Sequence, residues 1–262
     1  MAFILNALTY SRSARIRCLA GLALLFPPVL PAGDPPAPAP PATAPPDRTR
    51  QIQELMETSE SLDGVLFRDV VKAATGYAVL PVDAPSPADT ALLDHLAKAA
   101  DALLLRLNDG KSPVRGLRRI NEASRSVEDH LRLLLNAGDF TCTLPSTAAG
   151  AEQRSGYPDL KIVHVPSGRV TYLDPKLFEG KSRASSLRTF YYEPRALTGK
   201  IQSDARHLLL GIAHDGKDGA WTFQSWDLVD LHGFHVRLKA EFQGSNRDLY
   251  RRDLLLRRSA EP

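Results

Sequence analysis

The chain has 262 residues, 43% of them hydrophobic and 24% charged, with a formal net charge of +3. These proportions are ordinary for a globular protein and set aside a disordered or fibrous chain. The length allows one large domain, or one domain with a helical appendage, and the mildly basic balance permits nucleic acid as a partner without requiring it.

In chain order, Arg12, Arg15 and Arg17 precede an apolar run from Cys18 to Phe26, which Pro27 and Pro28 interrupt before the small residues Ala32-Gly33. Positive, apolar and small segments in that order read as a signal peptide over residues 1–33, and hence an exported, periplasmic or extracellular protein. The apolar run is short for a membrane span. Cys18 precedes the small residues, so no lipobox is formed. Residues 34–47, nearly all Pro and Ala, form an extended linker that cannot bury a core. Removal of the leader leaves Cys142 as the one thiol, a buried structural residue with no intramolecular disulfide.

A helical amino-terminal region is expected over 48–110. One helix covers residues 48–60. A second opens at Ser86-Pro87, where serine can cap, proline fits the first helical position and Asp89 suits the first turn. Leu92, Leu96, Ala99, Ala100, Leu103 and Leu107 recur at helical spacing until Asp109-Gly110. The domain that follows, 111–262, begins with a helix from Ser112-Pro113 to about Asn136. Strands are expected at Phe140–Leu144, Leu160–Val165, Val170–Leu173, Arg206–Ile212 and Ala220–Trp226. The clearest alternation is His235–Gln243, and a closing helix is expected over 246–258. Helices followed by a mixed sheet and a closing helix make an α/β sandwich, a mixed sheet flanked by helices.

The most informative stretch is Tyr157-Pro158-Asp159-Leu160-Lys161-Ile162 with Val170-Thr171-Tyr172-Leu173-Asp174-Pro175-Lys176, joined by the turn Pro166-Ser167-Gly168-Arg169. Alternate residues of a strand share a face, so Asp174 and Lys176 project together, and hairpin pairing brings Asp159 to the same side. Two carboxylates and an ammonium at a strand end can hold a divalent cation and activate water. The bland alternative is a hairpin carrying a solvated surface pair.

Pro-Asp, a spacer, then Asp-x-Lys resembles the PD-(D/E)XK nuclease superfamily, the fold of many type II restriction enzymes. The resemblance implies a restriction-endonuclease-like fold, DNA as substrate and Mg²⁺ or Mn²⁺ as cofactor. Asp159 and Asp174 would then be metal ligands, with Lys176 acting on the attacking water. It also implies an acidic residue from the preceding helix, Glu128 or Glu122. Leu117, Ile120, Val127, Leu131 and Leu134 define one face of that helix, with Glu128 at its border and Glu122 facing away, which favours Glu128; a helix that breaks near Gly116 or begins at Ser124 brings Glu122 back. Downstream, Arg188, Lys200, Arg206 and His207 are candidate phosphate contacts, and Tyr191 or Tyr192 can pack on sugar or base. No His or Cys spacing supports zinc.

Pro175 departs from the pattern, because proline lacks a ladder donor and is unwelcome in a central strand. Two readings therefore stand: a metal-dependent nuclease, and a catalytically silent exported module of the same fold that binds nucleic acid or the envelope. A hydrolase using the same carboxylates on another substrate is a third.

Overall fold

The computed structural model describes residues 48–187, 190–195 and 199–257. The expected leader and linker at 1–47, and Arg188, lie outside the described residues. Among those described, no helix is long and apolar enough to cross a membrane.

The fold is α/β, a mixed sheet flanked by helices, preceded by a helical segment, as expected. Helix α1 (Arg48–Ser61) buries no residue. Strand β1 (Val65–Leu66) leads into α2 (Phe67–Thr75), β2 (Val79–Leu80) and the long α3 (Pro87–Asn108). Then come α4 (Ser124–Leu135), β3 (Phe140–Thr143), β4 (Leu160–His164), β5 (Arg169–Glu179), β6 (Ala205–His214), β7 (Phe223–Asp230), β8 (His235–Val236) and the short α5 (Asn246–Leu249). The main sheet runs β2-β6-β5-β4-β3, with β7 also on β6. Strand β2 takes the first two residues of β6, and β7 takes the same edge from Leu208 onward.

Alternation along the strands gives the sheet two different faces. Leu160, Ile162, Leu173, Leu208, Leu210 and Ile212 point to α3 and α4, whose leucines complete the larger core. Tyr172, Ala205 and Leu209 point the other way, onto Phe67 and Val71 of α2. Because β5 and β6 are parallel, they need a long crossover, and the described residues of it form no helix or strand beyond a 3-10 turn at Gly180–Ser182. That crossover lays Phe190, Tyr192 and Ile201 on the second face.

Several expectations are corrected. The helix expected from Pro113 begins only at Ser124, after a 3-10 turn at Ile120–Ala123. The carbonyl of Leu117 is taken by Trp221 Nε1 at 2.6 Å and Gly219 N at 3.2 Å, so it is withdrawn from any helical ladder. Strand β5 continues past Leu173 to Glu179, straight through Pro175. The β4 ladder ends at the Leu160–Leu173 pair, so only β6 flanks Pro175, and the missing N–H falls where the strand is edge-like.

The His235–Gln243 alternation forms a strand only at His235–Val236, because its one partner is the two-residue β1. Beyond it Leu238 and Phe242 stay exposed, so the alternation has no face to bury. The closing helix starts with a Ser245–Asp248 capping box yet ends at Leu249. Leu249, Tyr250, Leu254 and Leu256 are exposed, and a short helix without a buried face does not persist.

Candidate active site

At the point where β4 stops and β5 runs on, the second face of the sheet gathers charge. Lys176 Nζ lies 2.7 Å from Asp174 Oδ2 and 3.8 Å from Asp159 Oδ2. Asp174 is buried, Asp159 nearly so, and Lys176 is one-third exposed, so solvent reaches the cluster mainly at Lys176. Among the described residues the buried Asp174 Oδ2 is held by the Lys176 ion pair and by no well-aligned hydrogen bond.

The electrostatics follow from two carboxylates sharing one ammonium. Burial, and then the charge of Asp174, push the Asp159 carboxyl up to about 8. Burial alone would lower Lys176, but Asp174, Asp159 and Glu128 together outweigh it and leave the ammonium firmer than usual. Glu128 is raised by burial and opposed by Arg154.

The structure brings Asp159, Asp174 and Lys176 together. Glu128, expected as a third ligand, is engaged by Arg154 Nη1 at 3.3 Å, while Arg154 Nη2 bonds Asp129 at 2.6 Å. Glu128 stays close enough for its charge to act on Asp159 and Lys176. Glu122 is exposed and lines a separate hollow with Asp129 and His130.

Of the expected phosphate contacts, Lys200 stands beside the cluster. It is buried, donates to the carbonyls of Gln153 at 3.2 Å and Arg154 at 3.4 Å, and is lowered by burial against the pull of Asp159, Asp174 and Glu128. With Tyr157, Tyr191 and Tyr192 it lines a cavity of about 310 Å³.

Arg206 is not available to substrate. It lies on the opposite face, its Nη2 2.6 and 2.8 Å from the two oxygens of buried Asp89. His207 is wholly buried, its Nδ1 sharing a 2.7 Å hydrogen bond with the Tyr157 hydroxyl, and it too cannot reach a phosphate.

Sequence reasoning missed Arg154, Tyr157 and Asp89. Asp89 carried a signal: it precedes Leu92 and Leu96 by three and seven positions, on the apolar stripe of α3. Tyr157 adjoined the motif, but nothing in its neighbours marks it as the partner of a histidine fifty residues on.

Comparison with known proteins bears on what this cluster serves. The family model of the Type II restriction enzyme MjaV family matches residues 61–253, most of the chain and all of the sheet. The chain belongs to that family. It is also 29% identical over 216 residues to the Type II restriction enzyme MjaV of Methanocaldococcus jannaschii, covering 77% of this chain and 92% of that protein. No solved structure matches. The match spans β4, β5 and the three converging side chains, so the MjaV family is matched across this cluster as well as across the core.

Proposed function

We propose that this chain is a divalent-metal-dependent DNA endonuclease of the PD-(D/E)XK type. The observation that carries the reading is the convergence of Asp159, Asp174 and Lys176 at the end of the β4 ladder. Membership of a family named for a Type II restriction enzyme supports DNA as the partner and hydrolysis of its phosphodiester backbone as the reaction.

The donor set suits a hard cation. Two carboxylates crowd together, one with a buried oxygen that no hydrogen bond among the described residues satisfies. Among the described residues no three His, Cys, Asp or Glu come together as ligands to one ion, so Asp159 and Asp174 would be supplemented by water. Mg²⁺ and its substitute Mn²⁺ suit that arrangement, since magnesium keeps several waters and binds through one or two carboxylates plus phosphate oxygens. Bound there, such an ion polarises the phosphate and lowers the proton affinity of a coordinated water.

The chain's own groups then divide the work. Lys176 keeps its proton, so it acts as a cation: it orients the attacking water and steadies negative charge on the phosphorane-like transition state. Lys200, buried beside the carboxylates, adds positive potential where the backbone phosphate enters. Glu128 tunes the pair through its charge. The silent-module reading gains no support, because Pro175 lies where β4 has already ended.

Export, and the division of residues 1–47 into a leader and a tether ahead of the 48–110 and 111–262 regions, complete the proposal on sequence grounds. The test is plasmid cleavage by the full-length chain with and without Mg²⁺. Metal-dependent cleavage that disappears in Asp174→Ala and in Lys176→Ala separately is the expected result. Cleavage unchanged in either variant would overturn the site.

A further inference from the structure

Asp159 lies outside the sheet ladder, since the first β4 pair is Leu160 with Leu173. Something else must fix its carboxylate, and the structure offers an anchor two residues upstream. Tyr157 precedes β4 yet bonds His207 on β6, two strands away, so its side chain reaches across β5. Asp159 therefore sits between two fixed points: the Tyr157–His207 bond on one side and the Leu160 pair on the other.

The anchor is built rigidly. The Tyr157 ring packs edge to face with Phe67 and Phe190 at 5.5 and 5.3 Å, and with Tyr192 at 5.8 Å. The His207 ring lies nearly parallel to it at 5.8 Å and is tilted against Tyr172 at 5.0 Å. One edge of Tyr157 stays open to the neighbouring cavity, while its hydroxyl end is enclosed. Among the described residues His207 Nε2 has no partner. Buried N–H groups are rarely left orphaned, which favours placing the ring proton on Nδ1, donated to the Tyr157 oxygen. The phenolic proton is then free to be donated elsewhere, and after burial the charge that acts most on it is that of Asp174.

We propose that Tyr157 and His207 form a positioning pair for Asp159, anchoring the entry to β4 so that Asp159 and Asp174 present to one divalent cation. The proposal rests on the metal-dependent reading of the site above. A positioning group of this kind affects metal affinity about 10–100-fold when it is removed.

Tyr157→Phe tests it, because the ring packing is kept and only the hydroxyl is lost. The measurements, on the full-length protein, are Mn²⁺ binding by titration calorimetry without DNA, the Mg²⁺ concentration that half-saturates plasmid cleavage, and the melting temperature. Tyr157→Phe is expected to weaken Mn²⁺ binding and raise the half-saturating Mg²⁺ about tenfold, in a protein that stays folded with a melting temperature lowered by the orphaned His207 N–H. His207→Asn, which keeps an amide near the place of Nδ1, should retain most of the affinity, and His207→Leu should match Tyr157→Phe. If both act through one bond, adding His207→Leu to Tyr157→Phe costs no further affinity. Tyr192→Phe deletes a hydroxyl from the same ring cluster and should leave metal binding unchanged. Wild-type affinity in Tyr157→Phe, or equal loss in Tyr192→Phe, would overturn the pair and leave the site reading intact. A wild-type protein that neither binds Mn²⁺ nor cleaves DNA would overturn both.

Discussion

The two faces of the sheet each bury a charged cluster, and they are built on opposite principles. On the α3 face, Asp89 is matched: Arg206 contacts both its oxygens, the Asp83 amide donates to it at 2.8 Å, and Arg169 stands 3.6 Å away. On the α2 face, two carboxylates share one ammonium. Among the described residues each cluster leaves one buried polar atom without a hydrogen bond, Arg206 Nε and Asp174 Oδ2, so the contrast is one of charge count. The first arrangement joins a helix to the sheet. In the second, burial and crowding push the Asp159 carboxyl up to about 8, a cost that folding alone gives no reason to keep. Buried charge by itself therefore does not mark a site in this molecule; mismatch does.

The largest effect expected from that contrast is on cleavage. Asp174→Asn should lower it roughly 10²–10⁴-fold, the range associated with removing a group that acts at the reaction centre. Measured without divalent cation, its melting temperature should hold or rise, because one of two crowded like charges is gone. Lys176→Met should be equally inactive but less stable, since it leaves both carboxylates without their counter-charge. A fall in stability for Asp174→Asn as large as that for Lys176→Met would mean the α2 cluster is a structural pair after all.

The α3 cluster should respond in the reverse sense. Asp89→Ala strands Arg206 in the interior and should cost about 3–5 kcal/mol in denaturant unfolding, while cleavage per folded molecule is unchanged. Replacing both, Asp89→Leu with Arg206→Met, should restore most of that loss, since a buried pair often exchanges for apolar side chains at little net cost. Loss of cleavage in the folded double variant would put Arg206 back among the functional residues.

Glu128 lies between these extremes, held by Arg154 but electrostatically felt by Asp159. Glu128→Gln should reduce cleavage about tenfold, as for a group that acts on ligands without being one. A loss equal to that of Asp174→Asn would make it a direct ligand.

Much of this was legible in the sequence. Period-2 alternation placed Asp174 and Lys176 on one face, and the hairpin through Pro166–Arg169 brought Asp159 within reach of Lys176. Helical periodicity placed α3 almost to the residue. Failures came where a distant partner decides. The carbonyl of Leu117 leaves its helix for Trp221, and the His235–Gln243 alternation finds only a two-residue strand to pair with. Arg206 and His207 are adjacent in sequence, yet the strand sends one to Asp89 and the other to Tyr157. Residue type made both look like phosphate contacts; the pleat and burial removed them from solvent.

The smallest effect separates two titratable groups of the α2 face, His207 and Asp159, by pH. Burial drops the His207 imidazole to about 3, below its ordinary 6.5, so the folded protein resists a proton that the unfolded chain accepts. Its contribution to stability is present above pH 6.5 and is lost as pH falls toward 3. Asp159 has the reverse sign. Its carboxyl, raised to about 8, contributes stability below its ordinary 3.8, and that contribution is lost as pH rises through 8. With chelator present, stability should therefore climb as pH falls from 8 to 6.5 and then level off as the two slopes oppose. Each group acting alone is limited to roughly 1.4 kcal/mol per pH unit. Urea unfolding across this range should show Asp159→Asn flattening the upper limb, and His207→Asn letting the climb continue below pH 6.5. An upper limb unchanged in Asp159→Asn would mean that the crowding of Asp159 against Asp174 is relieved in solution, and the contrast between the two faces would lose its electrostatic basis.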